Sequence, residues 1–108
     1  MNKGEFVDRL AEKTGFTKKD SRKALDSTLE IIQDEVEEGG EVMLTGFGKF
    51  ETRPRQATER INPRTGEKVQ VPRKVVPAFK AGKTLKEGVK KNLEAVKKDS
   101  GDLQVEKS

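Results

Sequence analysis

The sequence contains no cysteine and no histidine, and it also lacks tryptophan and tyrosine. Without cysteine there is no disulfide framework and no thiolate chemistry. Without histidine the commonest general base and metal ligand is missing, and the many carboxylates lie at surface-like helical positions. The sequence therefore offers no candidate catalytic residue, no metal ligand and no cofactor site. We expect a protein that is not an enzyme.

Long hydrophobic segments are also missing from the 108 residues, of which 31% are hydrophobic and 39% are charged. No apolar run approaches the length of a membrane helix or of a signal-peptide core. The first residues, MNKGEF, are typical of a mature cytosolic N-terminus, so we expect a cytoplasmic protein. One small domain of this composition builds only a thin core, and oligomerisation would supply the missing burial.

The positive charge is concentrated in the middle of the chain. Residues 1–50 hold 8 basic and 11 acidic residues, whereas residues 51–79 hold 7 basic and 3 acidic ones. Residues 80–91 add 5 basic and 1 acidic residue, and residues 92–108 hold 3 and 4. Two basic blocks that follow an acidic-leaning half indicate a surface for a polyanion.

One short motif bears on nucleotide binding. The segment Gly82-Lys83-Thr84 resembles the end of a phosphate-binding P-loop. Such a loop needs a glycine five residues before Gly82, and Pro77 occupies that position. We therefore set nucleotide binding aside.

Two helices are predicted at the N-terminus. Asn2 with Glu5 fits an N-cap and capping box, and Gly15 fits a left-handed C-cap. Thr17 begins a second helix of about twenty residues that ends at Gly39. Its apolar stripe follows the helical period: Ala24, Leu25, Thr28, Leu29, Ile31, Ile32 and Val36. The two helices would form a helical hairpin.

The apolar period changes to two at Val42 and Leu44, which predicts strands. A long strand starts at Phe50, and Pro54 places it at the edge of a sheet. Pro72 breaks the returning strand at a comparable distance from the turn. The two prolines would therefore face each other across the ribbon, which suggests a bend or a flexible hinge there. A third helix is predicted from Lys83 to about Lys91, with an extension to about Lys97 and a disordered tail beyond it.

Between these strands lies the segment RINPRTGEKVQ (60–70), whose Asn-Pro and Thr-Gly pairs indicate the tip of a β-hairpin. Strands of about ten residues each would extend about 33 Å from the body. An isolated ribbon of this kind is marginally stable in water, and nothing else in the chain is left to cover its apolar residues. Its basic residues suit a nucleic-acid groove: Arg53, Arg55, Arg60, Arg64, Lys68, Arg73 and Lys74.

The chain resembles the HU and integration host factor family of bacterial DNA-bending proteins, closest to HU, over residues 1–91. The segments that carry this resemblance are MNK (1–3), LTGFGKF (44–50), NPRTGE (62–67) and VPAFKAGK (76–83). Their order and spacing are far more specific than any fold inferred from periodicity.

The resemblance implies an α+β fold and an intertwined homodimer. Residues 1–39 would form a helical dimerisation base. Residues 40–91 would form a three-stranded antiparallel saddle, a long β-arm and the C-terminal helix. Residues 92–108 lie beyond the resemblance, since most relatives lack such a tail, and their own sequence predicts a helix extension followed by a disordered tail. The residues expected in the dimer core are Phe47, Phe50, Phe79, Leu29 and Ile32.

The resemblance also implies that the protein is nucleoid-associated and bends duplex DNA, including nicked or distorted DNA, through the minor groove. Pro63 would intercalate between base pairs, with Ile61 and Asn62 beside it, as the arm-tip proline does in this family. The body lysines Lys3, Lys80, Lys83 and Lys86 would contact flanking phosphates.

Two positions depart from the family pattern. Ile61 stands where family members usually carry arginine, and Thr58 stands at a position that is often basic in relatives. We hypothesise that Ile61 extends the apolar wedge.

Alternatives remain open. The protein could prefer particular DNA sites, as integration host factor does, or use its arms to pair with proteins. It could pair with a paralogue instead of itself, and it could bind RNA as a secondary activity. The absence of tyrosine and tryptophan argues against a single-strand stacking platform.

Overall fold

The computed structural model describes all residues, Met1–Ser108. The chain consists of two units, residues 1–40 and residues 41–108. None of the three helices combines the length and apolar character needed to cross a membrane.

The first unit is a pair of helices, α1 (Lys3–Thr14) and α2 (Lys18–Glu37). Asn2 Oδ1 accepts a hydrogen bond from the backbone N–H of Glu5 at 2.9 Å, which caps α1 as the sequence predicts. Gly15 ends α1 in the left-handed conformation, with φ of 78°. Thr17 caps α2 in the same way as Asn2 caps α1, through the N–H of Asp20. The predicted helical hairpin is confirmed.

The first unit buries very little. Val7 of α1 is the one fully buried apolar side chain, and Ser21 of α2 is buried without a hydrogen-bond partner for its hydroxyl. Leu29 and Ile31 on α2 remain 49% and 66% exposed. Each side chain of this size gains about 1.5–3 kcal/mol on full burial. The apolar stripe of α2 therefore lacks the partner that would make it stabilising.

The second unit contains a three-stranded antiparallel sheet with the order β1-β2-β5. Its strands are β1 (Val42–Leu44), β2 (Gly48–Arg55) and β5 (Lys74–Ala81). Strand β1 pairs only with residues 48–50 of β2. Beyond that point β2 has a neighbour on one side only, so Pro54 lies at an edge as predicted.

Phenylalanine side chains cluster on one face of this sheet. The ring centroid of Phe79 lies 4.8 Å from that of Phe50 and 5.5 Å from that of Phe47, in tilted arrangements that favour aromatic pairs. A Cβ atom at Gly48 would come within 2.4 Å of the Phe79 ring. The glycine is therefore required where this aromatic ring crosses the strand.

Helix α3 (Lys83–Asn92) starts directly after Gly82. The N–H of Gly82 donates to Phe47 O at 2.8 Å, and the N–H of Leu85 donates to Gly46 O at 3.2 Å. A Cβ at Gly82 would meet the backbone of Gly46 at 2.8 Å. Gly82 therefore lets the start of α3 lie against the turn between β1 and β2.

The β-arm is formed by β3 (Thr58–Ile61) and β4 (Lys68–Val71). Its ladder continues the register of β2 and β5, but residues 56–57 and 72–73 are unpaired. The predicted long strands are therefore each divided in two. Pro54 pairs with Val75, so the two prolines do not face each other. The interruption coincides with Pro72, which has no N–H to donate.

The prediction for residues 92–108 is wrong in both parts. Helix α3 ends at Asn92, and residues 93–97 form strand β6 (Leu93–Lys97). This strand pairs with β7 (Leu103–Lys107) through a turn in which Gly101 has φ of 92°. The apolar spacing after Leu85 fits a helix. In the structure the backbone groups of residues 93–97 form ladder hydrogen bonds with β7 in place of helical ones. The turn at Gly101 allows the two strands to pair.

Candidate nucleic-acid interface

Basic side chains share one face of the ribbon formed by β2 and β5. Alternate residues of a strand point to the same face, and directly paired residues of neighbouring strands share it. Arg55 pairs with Lys74, Arg53 with Val76, and Lys49 with Lys80. Phe50 and Phe79 lie on the opposite face. The structure thus brings together four of the predicted site residues: Arg53, Arg55, Lys74 and Lys80.

Glu51 sits among these cations and was not predicted as part of the site. Its Oε1 lies 3.0 Å from Nη2 of Arg53, and its Oε2 lies 3.1 Å from Nζ of Lys49. Lys49 Nζ also lies 3.5 Å from Glu41 Oε2. The alternation of Lys49, Glu51 and Arg53 along one strand was the signal in the sequence that could have revealed this network.

The network shifts the pKa values of Glu51 and Lys49. The hydrogen bond from Lys49, followed by that from Arg53, lowers the pKa of the Glu51 carboxyl. The hydrogen bond to Glu51 and the charge of Glu41 raise the pKa of Lys49. Because the pKa of Glu51 is lowered in the folded state, its ion pairs contribute stability at neutral pH. That contribution is lost as the pH falls through the lowered pKa.

A cleft of about 370 Å³ opens where the ladder is interrupted. Its lining includes the cations Arg55, Arg73 and Lys74, together with Gln56. Residues 56, 57 and 73 have backbone groups without ladder partners here. Cationic side chains such as these are the groups with which anions such as phosphates pair.

The register of the arm separates its apolar residues. Arg60 pairs with Val69, and Ile61 pairs with Lys68. Ile61 therefore lies on the face opposite Val69, and the arm has no single apolar face. Lys68 Nζ lies 3.6 Å from Glu59 Oε1, so its charge is partly offset. Ile61 is 66% exposed.

The arm tip is a compact loop of four residues, 63–66. The N–H of Asn62 donates to Glu67 O, and the N–H of Gly66 donates to Asn62 O, both at 2.8 Å. Asn62 Oδ1 accepts from the N–H of Arg64 at 2.9 Å, and Gly66 has φ of 71°. These bonds hold Pro63 at the outermost turn with its ring exposed. The tip therefore presents an apolar ring with no N–H, directly before Arg64 in the sequence.

The predicted body lysines occupy different places. Lys83 and Lys86 lie in the first turns of α3, where free helical N–H groups favour anions. Lys90 lies on the same helix face at spacings of three and four, and it was missed by the sequence argument. Lys3 belongs to the first unit, where its Nζ lies 2.7 Å from Asp26 Oδ1.

The residues predicted for a dimer core divide between the units. Phe47, Phe50 and Phe79 meet in the second unit, where Phe47 and Phe79 remain 51% and 43% exposed. Leu29 and Ile32 lie on α2 in the first unit.

An α+β fold with an extended, basic β-arm defines the structural class of this protein. The family model described as "Bacterial DNA-binding protein" matches residues 1–90. DNA-binding protein HU of Lactococcus lactis subsp. lactis (strain IL1403) is 51% identical over 89 residues, which are 82% of this chain and 98% of that protein. DNA-binding protein HU of Geobacillus stearothermophilus is 47% identical over 90 residues, which are 83% and 100%.

Solved structures give the same result. An Anabaena HU–DNA cocrystal structure matches with a TM-score of 0.78 and 50% identity, covering 82% of this chain and 97% of that chain. HU from Thermotoga maritima matches with a TM-score of 0.60 and 39% identity, covering 82% and 98%. This chain belongs to the bacterial DNA-binding protein family to which the HU proteins belong. Family members are DNA-binding proteins and not enzymes.

The last part of the chain lies outside these matches. The family model ends at residue 90, and the match to the Geobacillus protein already uses the whole of that protein. The hairpin of β6 and β7 is therefore an addition to the shared fold.

Proposed function

We propose that the protein is an architectural DNA-binding protein whose arms enter the minor groove and bend the duplex. The exposed Pro63 ring at the end of a basic ribbon carries this proposal. In HU and integration host factor, an apolar arm-tip side chain wedges between base pairs and kinks DNA by about 20–90°. Pro63 would take this role here, which explains an apolar ring at the tip of a charged arm. The similarity of this chain to HU in a structure of an HU–DNA complex supports the same role in DNA binding.

The cations along the arm would contact phosphates and fix its position. Contacts to phosphates do not distinguish one base sequence from another, and the hydrogen-bonding pattern of the minor groove distinguishes little more than A·T from G·C pairs. Binding would therefore depend little on sequence, and the protein would associate with the nucleoid. Competition with random DNA separates this function from the site preference of an integration-host-factor-like protein. A flexible single-stranded ligand would compete poorly, since the chain has no tyrosine or tryptophan for stacking. RNA binding would be at most a secondary activity.

The protein would act as a homodimer. The chain alone leaves Phe47, Phe79 and Leu29 about half exposed and fully buries only one apolar side chain, Val7. A second copy that covered these side chains would supply the missing core. One chain contains the helices, the sheet and the arm, so no paralogue is required.

The test is DNA affinity measured across a salt series on linear and nicked duplexes. About eight phosphate contacts give a log–log slope near −7. A steep slope with tighter binding to nicked DNA supports the proposal. A flat slope, or no duplex binding at low salt, would overturn it and favour arms that pair with proteins.

Glu51→Gln should tighten DNA binding several-fold. The carboxylate competes with phosphate for Arg53 and Lys49, and each cation released for DNA adds about −0.9 to the salt slope. The measurement is the affinity of this variant across the salt series. Glu12→Gln, which makes the same charge change in α1, is the control. Equal effects of both substitutions would show that only total charge matters.

Ile61→Arg should raise the affinity and its salt dependence while reducing the bend. Ile61 is exposed beside Pro63, and an apolar residue there enlarges the wedge, whereas arginine would contact phosphates. The end-to-end distance of a labelled duplex reports the bend. An unchanged bend in the variant would contradict the hypothesis that Ile61 extends the wedge.

A further inference from the structure

The C-terminal hairpin has no role in the function proposed above. Strands β6 and β7 pair only with each other and form a separate two-stranded sheet. A two-stranded hairpin is marginally stable in water. Leu103 and Val105 on β7 are 70% and 72% exposed. The hairpin therefore has both an uncovered apolar surface and two free strand edges.

The hydrogen bonds at the two ends of the hairpin show which backbone groups point outward. The N–H of Lys98 donates to Asp102 O at 2.6 Å, and the N–H of Ser108 donates to Asn92 O at 3.0 Å. Inward-pointing and outward-pointing pairs alternate along an antiparallel ladder. The even-numbered residues of the hairpin therefore bond across it. The odd-numbered residues direct their N–H and C=O groups to the outer edges.

On β7 the outward groups belong to Leu103, Val105 and Lys107. We propose that β7 pairs antiparallel with β7 of a second copy of this chain. A two-fold axis at Val105 would place Val105 opposite its own counterpart and Leu103 opposite Lys107. The N–H and C=O groups of all three residues would then find partners across the axis, and the two hairpins would form one four-stranded sheet.

The side chains of β7 are compatible with this register. Gln104 would stand opposite Glu106 of the second copy, where an amide N–H can donate to a carboxylate. No two like charges would face each other, and the Val105 side chains would lie side by side. DNA would bind the free edge of β7 poorly, since residues 92–108 hold 3 basic and 4 acidic residues. A second copy therefore fits the charge pattern better than a polyanion does.

The natural absence of cysteine allows a direct test in the full chain. Val105→Cys introduces a single thiol at the axis, where the proposed pairing separates the two Cα atoms by about 5.5 Å. Ala95→Cys is the control, because Ala95 pairs with Val105 on the same face of the hairpin. In a four-stranded sheet the two Ala95 positions would be three strand spacings apart, about 14 Å. Both variants are treated with the shortest bifunctional thiosulfonate, in the absence of DNA.

Val105→Cys is expected to give covalently linked chain pairs at least about ten times faster than Ala95→Cys. Adding Leu103→Pro to the reporter removes one outward N–H from each chain and leaves the β6–β7 ladder intact. It should lower the linking rate about tenfold. No linking at Val105→Cys, equal rates for both reporters, or no effect of Leu103→Pro would overturn the proposal. Because DNA is absent, this result is independent of the DNA-binding function.

Discussion

Pro63→Ala is expected to abolish most of the preference for nicked over intact duplex DNA. The wedge costs a few kcal/mol of base stacking, and a nick removes part of that cost. The wild-type protein should therefore favour the nicked duplex by at least about tenfold. An alanine at the tip is too small to replace a stacked base, so the variant should bind both duplexes within about threefold. Equilibrium affinity on matched duplexes measures the effect.

Pro77→Ala is the matched control for this experiment. Pro77 is an exposed proline of β5, paired with Thr52, and it lies far along the strand from the tip. The control should retain the full preference for nicked DNA. A Pro63→Ala protein that kept this preference would show that Pro63 serves only the turn.

Replacing Arg53, Arg55 and Lys74 together by alanine should have the largest effect on affinity. These cations share one face of the ribbon, at the base of the arm. A dimer would lose about six phosphate contacts, which makes the log–log salt slope shallower by about 5. Binding at moderate salt should weaken by about three orders of magnitude. A salt titration with a labelled duplex measures both quantities.

The control removes the same charge elsewhere. Lys13, Lys19 and Lys23 lie on the helices of the first unit, and nothing in the proposal places them on DNA. Their triple alanine variant should shift the slope much less. Similar salt slopes for the two triple variants would mean that DNA affinity depends only on the net charge of the protein.

Local signals in the sequence predicted much of the fold. Asn2, Gly15 and Thr17 act through hydrogen bonds and backbone angles within a few residues, so both helix boundaries followed from the residues themselves. The tip at Pro63 was predicted for the same reason, since its turn depends on Asn62 and Gly66.

Features that depend on pairing between strands could not be predicted from the sequence in the same way. The sequence did not show that Ile61 and Val69 lie on opposite faces, because that depends on the register across the arm. The ion pairs of Glu51 were missed because a carboxylate in a basic region was interpreted as a solvated surface side chain.

Residues 93–97 of the C-terminal hairpin were predicted as a helix because Leu85, Val89 and Leu93 keep a helical spacing, and the residues after them were predicted as disordered. The alternation of Leu103 and Val105 after the Ser100-Gly101 turn was the competing signal.

The measurement that tests the central claim most directly is the end-to-end distance of a short duplex carrying a fluorophore pair, saturated with the wild-type protein. A wedge at each arm tip predicts a marked shortening of that distance, and Pro63→Ala at saturation should restore most of it. A duplex that remained straight under saturating wild-type protein would contradict the account.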